Sequence, residues 1–98
     1  MATLHLLSHS PFSDTRLDSC LRLLGPGDGL LLCGDATYAL QPASRHIRAL
    51  AQLDEGIELF TLEEDMQARA LQAGPVQVID YPQFVALACR FDKVNSWL

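Results

Sequence analysis

Positive charge is scarce in this sequence, and the little there is never gathers. Of 98 residues seven are Lys or Arg, against twelve Asp or Glu, and the net charge is −5. Arg16, Arg22, Arg45, Arg48, Arg69, Arg90 and the single Lys93 are scattered along the chain. A surface that grips a phosphate backbone needs several converging cations, so no direct nucleic-acid binding is expected. Long apolar runs are missing as well. No stretch approaches the roughly 20 apolar residues of a membrane-spanning helix, and the opening "MATLHLLSHSP" has no basic segment and is interrupted by His5 and Ser8. Neither a membrane anchor nor a targeting segment is expected. The three cysteines, Cys20, Cys33 and Cys89, are odd in number and widely spaced. That pattern suits reduced thiols and a cytoplasmic protein, not a disulfide framework.

Cofactor signatures are absent too. Where a dinucleotide fingerprint would follow the first strand the sequence reads "SHSPFSD", and neither a P-loop nor a nucleophile elbow occurs. No Cys-x-x-Cys or Cys-x-x-His spacing is present, so a zinc site built on these thiols is not expected. No cofactor and no metal follow from the sequence. What it does have is apolar bulk: 49% of the residues are hydrophobic and 19% charged, the composition of a folded chain. A length of 98 residues fits one domain, 1–98, with a thin core. The apolar surplus finds a natural outlet in association with other chains.

Hydrophobic periodicity and turn punctuation predict alternating strands and helices. "TLHLLS" (3–8) reads as a strand closed by His9, Ser10 and Pro11. Ser13 or Asp14 caps a helix to about Leu24, and "GPGDG" (25–29) ends it. "LLLC" (30–33) is a continuous apolar run, the mark of a strand buried on both faces. "GDATYALQPAS" reads as a loop with a helical turn near 36–40. A helix follows over 43–53, with Ile47, Leu50 and Ala51 on its apolar side and His46 in solvent. "IELFT" (57–61) is a strand, Glu63, Glu64 and Asp65 open a short helix, and "VQVI" (76–79) is the next strand. Asp80 then caps a last helix with Pro82 in its first turn, showing Tyr81, Phe84, Val85, Ala88 and Cys89 as an apolar stripe. Strands alternating with helices imply a three-layer α/β/α fold with a mainly parallel sheet of four to five strands.

Thiol chemistry is the one reactive possibility left. Ligand sites of parallel sheets form at the carboxyl ends of the strands, and the expected strands place Cys33, Asp35 and His9 there. A Cys–His pair at that edge could generate a thiolate; equally, Cys33 can be the last apolar residue of a buried strand. Leu17, Cys20, Leu21 and Leu24 share one helical face, which makes Cys20 either core filler or a working thiol. Cys89, on the apolar stripe of the last helix, reads as core. His5 reads as a satisfied core or edge histidine. The terminal "VNSWL" carries Trp97 and Leu98 where chain ends are usually polar. Either the tail folds back on the core, or it anchors a partner.

Along nearly its whole length the sequence resembles the TusB/DsrH family of sulfur-relay subunits. The segments that carry the likeness are "LHLLSHSPF", "DSCLRLL", "GDGLLLCGDATYAL", "LEEDMQARAL", "VQVIDYPQFVALA" and "VNSWL". The resemblance implies a DsrE-like α/β domain and a heterohexamer with TusC/DsrF-like and TusD/DsrE-like subunits. It implies a relay in which persulfide sulfur arrives from a TusA-like carrier and leaves through a TusE-like one for 2-thiolation of tRNA wobble uridine. The alternatives are a DsrH role in sulfur oxidation and a stand-alone thiol sulfurtransferase using Cys33 or Cys20 with His9 as base. The resemblance also implies that the principal relay cysteine belongs to the TusD/DsrE subunit and that this chain is a non-catalytic subunit. Cys20 stands where DsrH members carry a cysteine, Asp35 matches the family's acid after the second strand, Asp80 and Tyr81 its "DY" pair, and Trp97 its terminal tryptophan. The family often has glycine where Ala36 and Ala70 stand here. Without those glycines, backbone with φ below zero is expected at both positions.

Overall fold

The computed structural model describes residues 2–97. The interface candidate Leu98 lies outside the described residues. Among the described residues five strands, four α-helices and one 3₁₀ helix follow one another: β1 (Thr3–Leu7), α1 (Arg16–Leu23), β2 (Gly29–Leu32), a 3₁₀ helix (Gly34–Leu40), α2 (Arg45–Ala51), β3 (Glu58–Leu62), α3 (Glu63–Ala68), β4 (Gln77–Ile79), α4 (Tyr81–Arg90) and β5 (Lys93–Trp97). The strands form one all-parallel sheet in the order β4-β3-β2-β1-β5. This is the expected α/β architecture, with the tail as its fifth strand, paired to β1 with Leu7 opposite Trp97.

The strand order decides where the helices go. From β1 to β4 the chain steps across the sheet in one direction, so right-handed crossovers put α1, the 3₁₀ helix, α2 and α3 on one face. The step from β4 to β5 runs back across the whole sheet, which puts α4 alone on the other. Side-chain alternation agrees. Leu7, Leu30 and Leu32 pack with Leu17, Cys20, Leu40, Leu50 and Met66, whereas Leu4, Leu31, Phe60, Leu62 and Ile79 pack with Leu87 and Phe91 of the α4 segment. β2 lies in the middle, and Leu30, Leu31 and Leu32 are fully buried, as a continuous apolar strand should be. At Gly29 an added Cβ would lie 2.6 Å from the Phe91 ring. The absent side chain is what lets that ring close over the start of β2.

Several local expectations change. α1 begins at Arg16, after Thr15 at the cap position, and Asp14 contributes by accepting the Arg16 N–H at 2.9 Å. α2 is shorter than 43–53 and is capped by Ser44, whose hydroxyl accepts the His46 N–H at 3.0 Å. It turns His46 and Leu50 inward and leaves Ala51 exposed. His46 is therefore buried, not solvated; its ring meets Phe12 edge-on at 5.7 Å, and Nδ1 lies 3.8 Å from Asp18 Oδ1. α4 carries the expected cap as a reciprocal box: Asp80 Oδ1 accepts from Gln83 N–H at 2.8 Å, and Gln83 Oε1 accepts from Asp80 N–H at 2.9 Å. Its rotation is not the expected one. Leu87 faces the sheet with half-buried Phe84, while Tyr81, Val85 and Cys89 are exposed. The return crossover sets which side of the helix meets the sheet, and positions 84 and 87 win over 81, 85 and 89.

Candidate functional site

The carboxyl ends of β1, β2 and β3 bring together the segments after Leu7, Leu32 and Leu62. Cys33 leaves β2 with its N–H donating to Leu7 O at 2.9 Å and its thiol donating to the same oxygen at 3.3 Å. Gly34 follows at φ +52, backed against Ser8 O, where an added Cβ would come within 3.3 Å. The left-handed backbone and the close approach both call for glycine. Its N–H donates to Asp65 Oδ2 at 2.8 Å, and the Thr37 hydroxyl donates to Gly34 O at 2.7 Å. Asp35, next in line, accepts from Arg69 Nη2 at 2.8 Å and Nε at 3.3 Å. Arg69 also donates to Asp65 O at 3.0 Å and lies over the Tyr38 ring at 5.6 Å. The acid after the second strand thus clamps the 3₁₀ helix to α3.

These contacts describe a fixed framework rather than an activated nucleophile. Burial pushes the Cys33 thiol up from its ordinary value, and the negative charge of Asp65 adds to the effect. His9 is exposed, and no hydrogen bond joins it to Cys33 among the described residues. Cys20 is fully buried, and burial, reinforced by the Asp28 carboxylate, pushes its thiol up to about 12. A thiol in that setting stays protonated and inert. Cys89, expected in the core, is the exposed cysteine; the rotation of α4 carries it outward. No group of three or more His, Cys, Asp or Glu is placed to hold a metal ion among the described residues. No helix among them is long and apolar enough to cross a membrane.

Trp97 folds back. Its indole packs against the larger core cluster, and Nε1 donates to His5 Nδ1 at 3.0 Å. His5 is buried, and its Nε2 lies 3.9 Å from Asp28 Oδ2. Burial lowers the His5 pKa, with Asp28 acting against it. Asp28 is itself held below the usual carboxylate value: burial opposes ionisation, but the N–H groups of Gly25 and Thr3 and the nearby His5 outweigh it. The His5–Trp97 link joins residues 92 positions apart and has no local sequence signal. Its one hint is a histidine and a tryptophan in strands that prove to be neighbours. On the opposite face, α4 and the β3–β4 edge enclose a shallow groove lined by Phe60, Ile79 and Leu87, with the Glu58–Arg90 ion pair at its rim.

Comparison with known proteins converges on one group. The sequence profile described as DsrH like protein matches residues 9–94. The chain is 39% identical to Protein TusB of Erwinia tasmaniensis, over 96% of this chain and 99% of that one. It is 36% identical to Protein TusB of Enterobacter sp. (strain 638) and 34% to that of Escherichia coli (strain K12), with the same coverage. Among solved structures, the crystal structure of the ychN protein from E. coli superposes with a TM-score of 0.83 at 14% identity, covering 99% of each chain. Protein Tm0979 from Thermotoga maritima, solved by NMR, gives 0.66 at 18% identity, covering 92% of this chain and 93% of that one. At such identities the two structures speak for the fold alone.

Proposed function

The chain belongs to the DsrH-like protein family, and from that membership we propose that it serves as a single-domain subunit of a cytoplasmic TusBCD-type sulfur-relay complex. In this reading it joins TusC/DsrF-like and TusD/DsrE-like subunits in a heterohexamer. The complex takes persulfide sulfur from a TusA-like carrier and passes it through a TusE-like one toward 2-thiolation of tRNA wobble uridine. The observation that carries it is the full-length similarity to proteins named TusB. The state of the thiols supports a non-catalytic part: Cys20 is fully buried, and burial raises both Cys20 and Cys33. Sulfur would then move by thiolate attack on a persulfide at partner cysteines. An acidic chain with scattered cations suits a protein that contacts other proteins and leaves tRNA to later steps. Trp97, at the end of the edge strand β5, and Leu98 are the interface candidates.

A second reading keeps the family and assigns a DsrH role in sulfur oxidation. Cys20, in "DSCLRLL", favours it, because DsrH members carry a cysteine there. Independent catalysis by Cys33 or Cys20 with His9 as base is the weakest reading, since His9 is exposed and no hydrogen bond joins it to Cys33 among the described residues. Co-expression with TusC- and TusD-like proteins tests the first reading. One stable assembly containing all three chains is expected by light scattering. Three separate monomers would contradict it.

A further inference from the structure

β5 is an edge strand with one neighbour, β1. Residues Lys93–Ser96 are exposed, and Trp97 is the β5 side chain that packs against a buried cluster among the described residues. Its indole nitrogen is a donor only, so the 3.0 Å bond to His5 Nδ1 requires a lone pair on that nitrogen. Neutral His5 supplies it by carrying its proton on Nε2, toward Asp28 Oδ2 at 3.9 Å. Protonation at Nδ1 would set two N–H groups against each other. Asp28 cannot swing in to compensate without loss, because Oδ1 accepts from Thr3 N–H and Oδ2 from Gly25 N–H, both at 3.0 Å.

We propose that His5 and Trp97 form a protonation-controlled latch on the C-terminal strand. Neutral His5 holds the indole, and through it the end of β5, in the sheet; protonated His5 releases both. The groups facing His5 set the balance. From the turn before β2, Asp28 favours the cation. From β5, Lys93 and neutral Asn95 line the same concavity as His5. Thr3 on β1 is neutral, and Cys20 of α1, interacting with Asp28, stays a neutral thiol. Burial outweighs Asp28, so the His5 pKa lies below 6.5. The latch is closed at neutral pH and opens as the medium acidifies, freeing the indole and loosening the edge strand. It is a property of this chain alone, so its test stands apart from that of the relay assignment.

Amide hydrogen exchange of the intact chain at about pH 7.5 and about pH 5 reads it directly, across the range in which histidine titrates. After correction for intrinsic exchange, protection of Lys93–Trp97 relative to β2 should fall about tenfold on acidification, the scale of one buried hydrogen bond. His5→Gln should abolish that fall, and Trp97→Phe, whose ring cannot donate, should leave β5 weakly protected at both values. A wild-type ratio that stays constant with pH overturns the latch, as does a fall that persists in His5→Gln. If His5→Gln does not fold, Trp97→Phe decides: an unchanged fall in that variant overturns the proposal.

Discussion

Cys20 shows how much a residue's meaning depends on its surroundings. Its helical spacing fits both a core hydrophobe and a working thiol, and only the packing separates them. Full burial and a thiol pushed up to about 12 place it with the core. Cys20→Ser should therefore cost about 1–3 kcal/mol by burying a hydroxyl, read as a lower denaturation midpoint. Iodoacetamide should label exposed Cys89 first and Cys20 last in the folded chain; rapid labelling of Cys20 would contradict the burial. Ala70 teaches the reverse lesson. The missing glycine suggests φ below zero, yet Ala70 stands at φ +54. The end of α3 explains it: Leu71 N–H bonds to Met66 O at 3.1 Å and Ala70 N–H to Gln67 O at 3.0 Å, the paired bonds of a Schellman motif with alanine in the glycine place. Leu71 and Met66 pack in the same core cluster, and that contact holds the turn. Ala70→Gly should stabilise the chain by up to about 1 kcal/mol by removing left-handed strain, and a lower midpoint would refute that account.

Elements were legible wherever a single local rule governed them. The run "LLLC" announced β2, and "IDYPQ" announced the cap of α4, where Asp80 and Gln83 hold each other's N–H groups. Asp80→Ala should cost about 1 kcal/mol, with loss concentrated in helical signal from α4; an unchanged midpoint would mean the box is idle. The rotation of α4 was not legible. Its sequence is apolar at 81 and throughout 84–89, so periodicity offers more than one face, and only the long return from β4 to β5 selects one. β5 was half-legible for a related reason. "KVNSW" has little apolar alternation because an edge strand exposes most of its side chains, so the pattern that betrays central strands is weak there. The site shows the same division. The loop order located Cys33 and Asp35 at the carboxyl edge, but the Asp35–Arg69 clamp and the His5–Trp97 bond join distant segments.

At the scale of the molecule, the parallel sheet with its lopsided helix layers follows from strand order and crossover handedness, both foreshadowed by the alternation of elements. Its pH response is a sum over residues. His5 and His46 are both lowered, chiefly by burial, so near pH 6.5 the unfolded chain binds more protons than the folded one. Stability should accordingly be highest above that value and decline as pH falls below it; urea midpoints that stay level or rise over that interval would refute the assignment. Asp14 and Asp28, both lowered, act in a separate window below the ordinary carboxylate value of 3.8. The proposed function makes its claim about the cell: this chain would be needed for sulfur to reach tRNA while Cys20 and Cys33 stay out of the transfer. The most direct measurement is the 2-thiouridine content of wobble positions in cells lacking the chain, complemented by the wild type or by Cys20→Ser with Cys33→Ser. Thiolation should vanish on deletion and return with both complements. Undiminished thiolation without the chain, or failure of a stably folded double variant to restore it, would contradict the account.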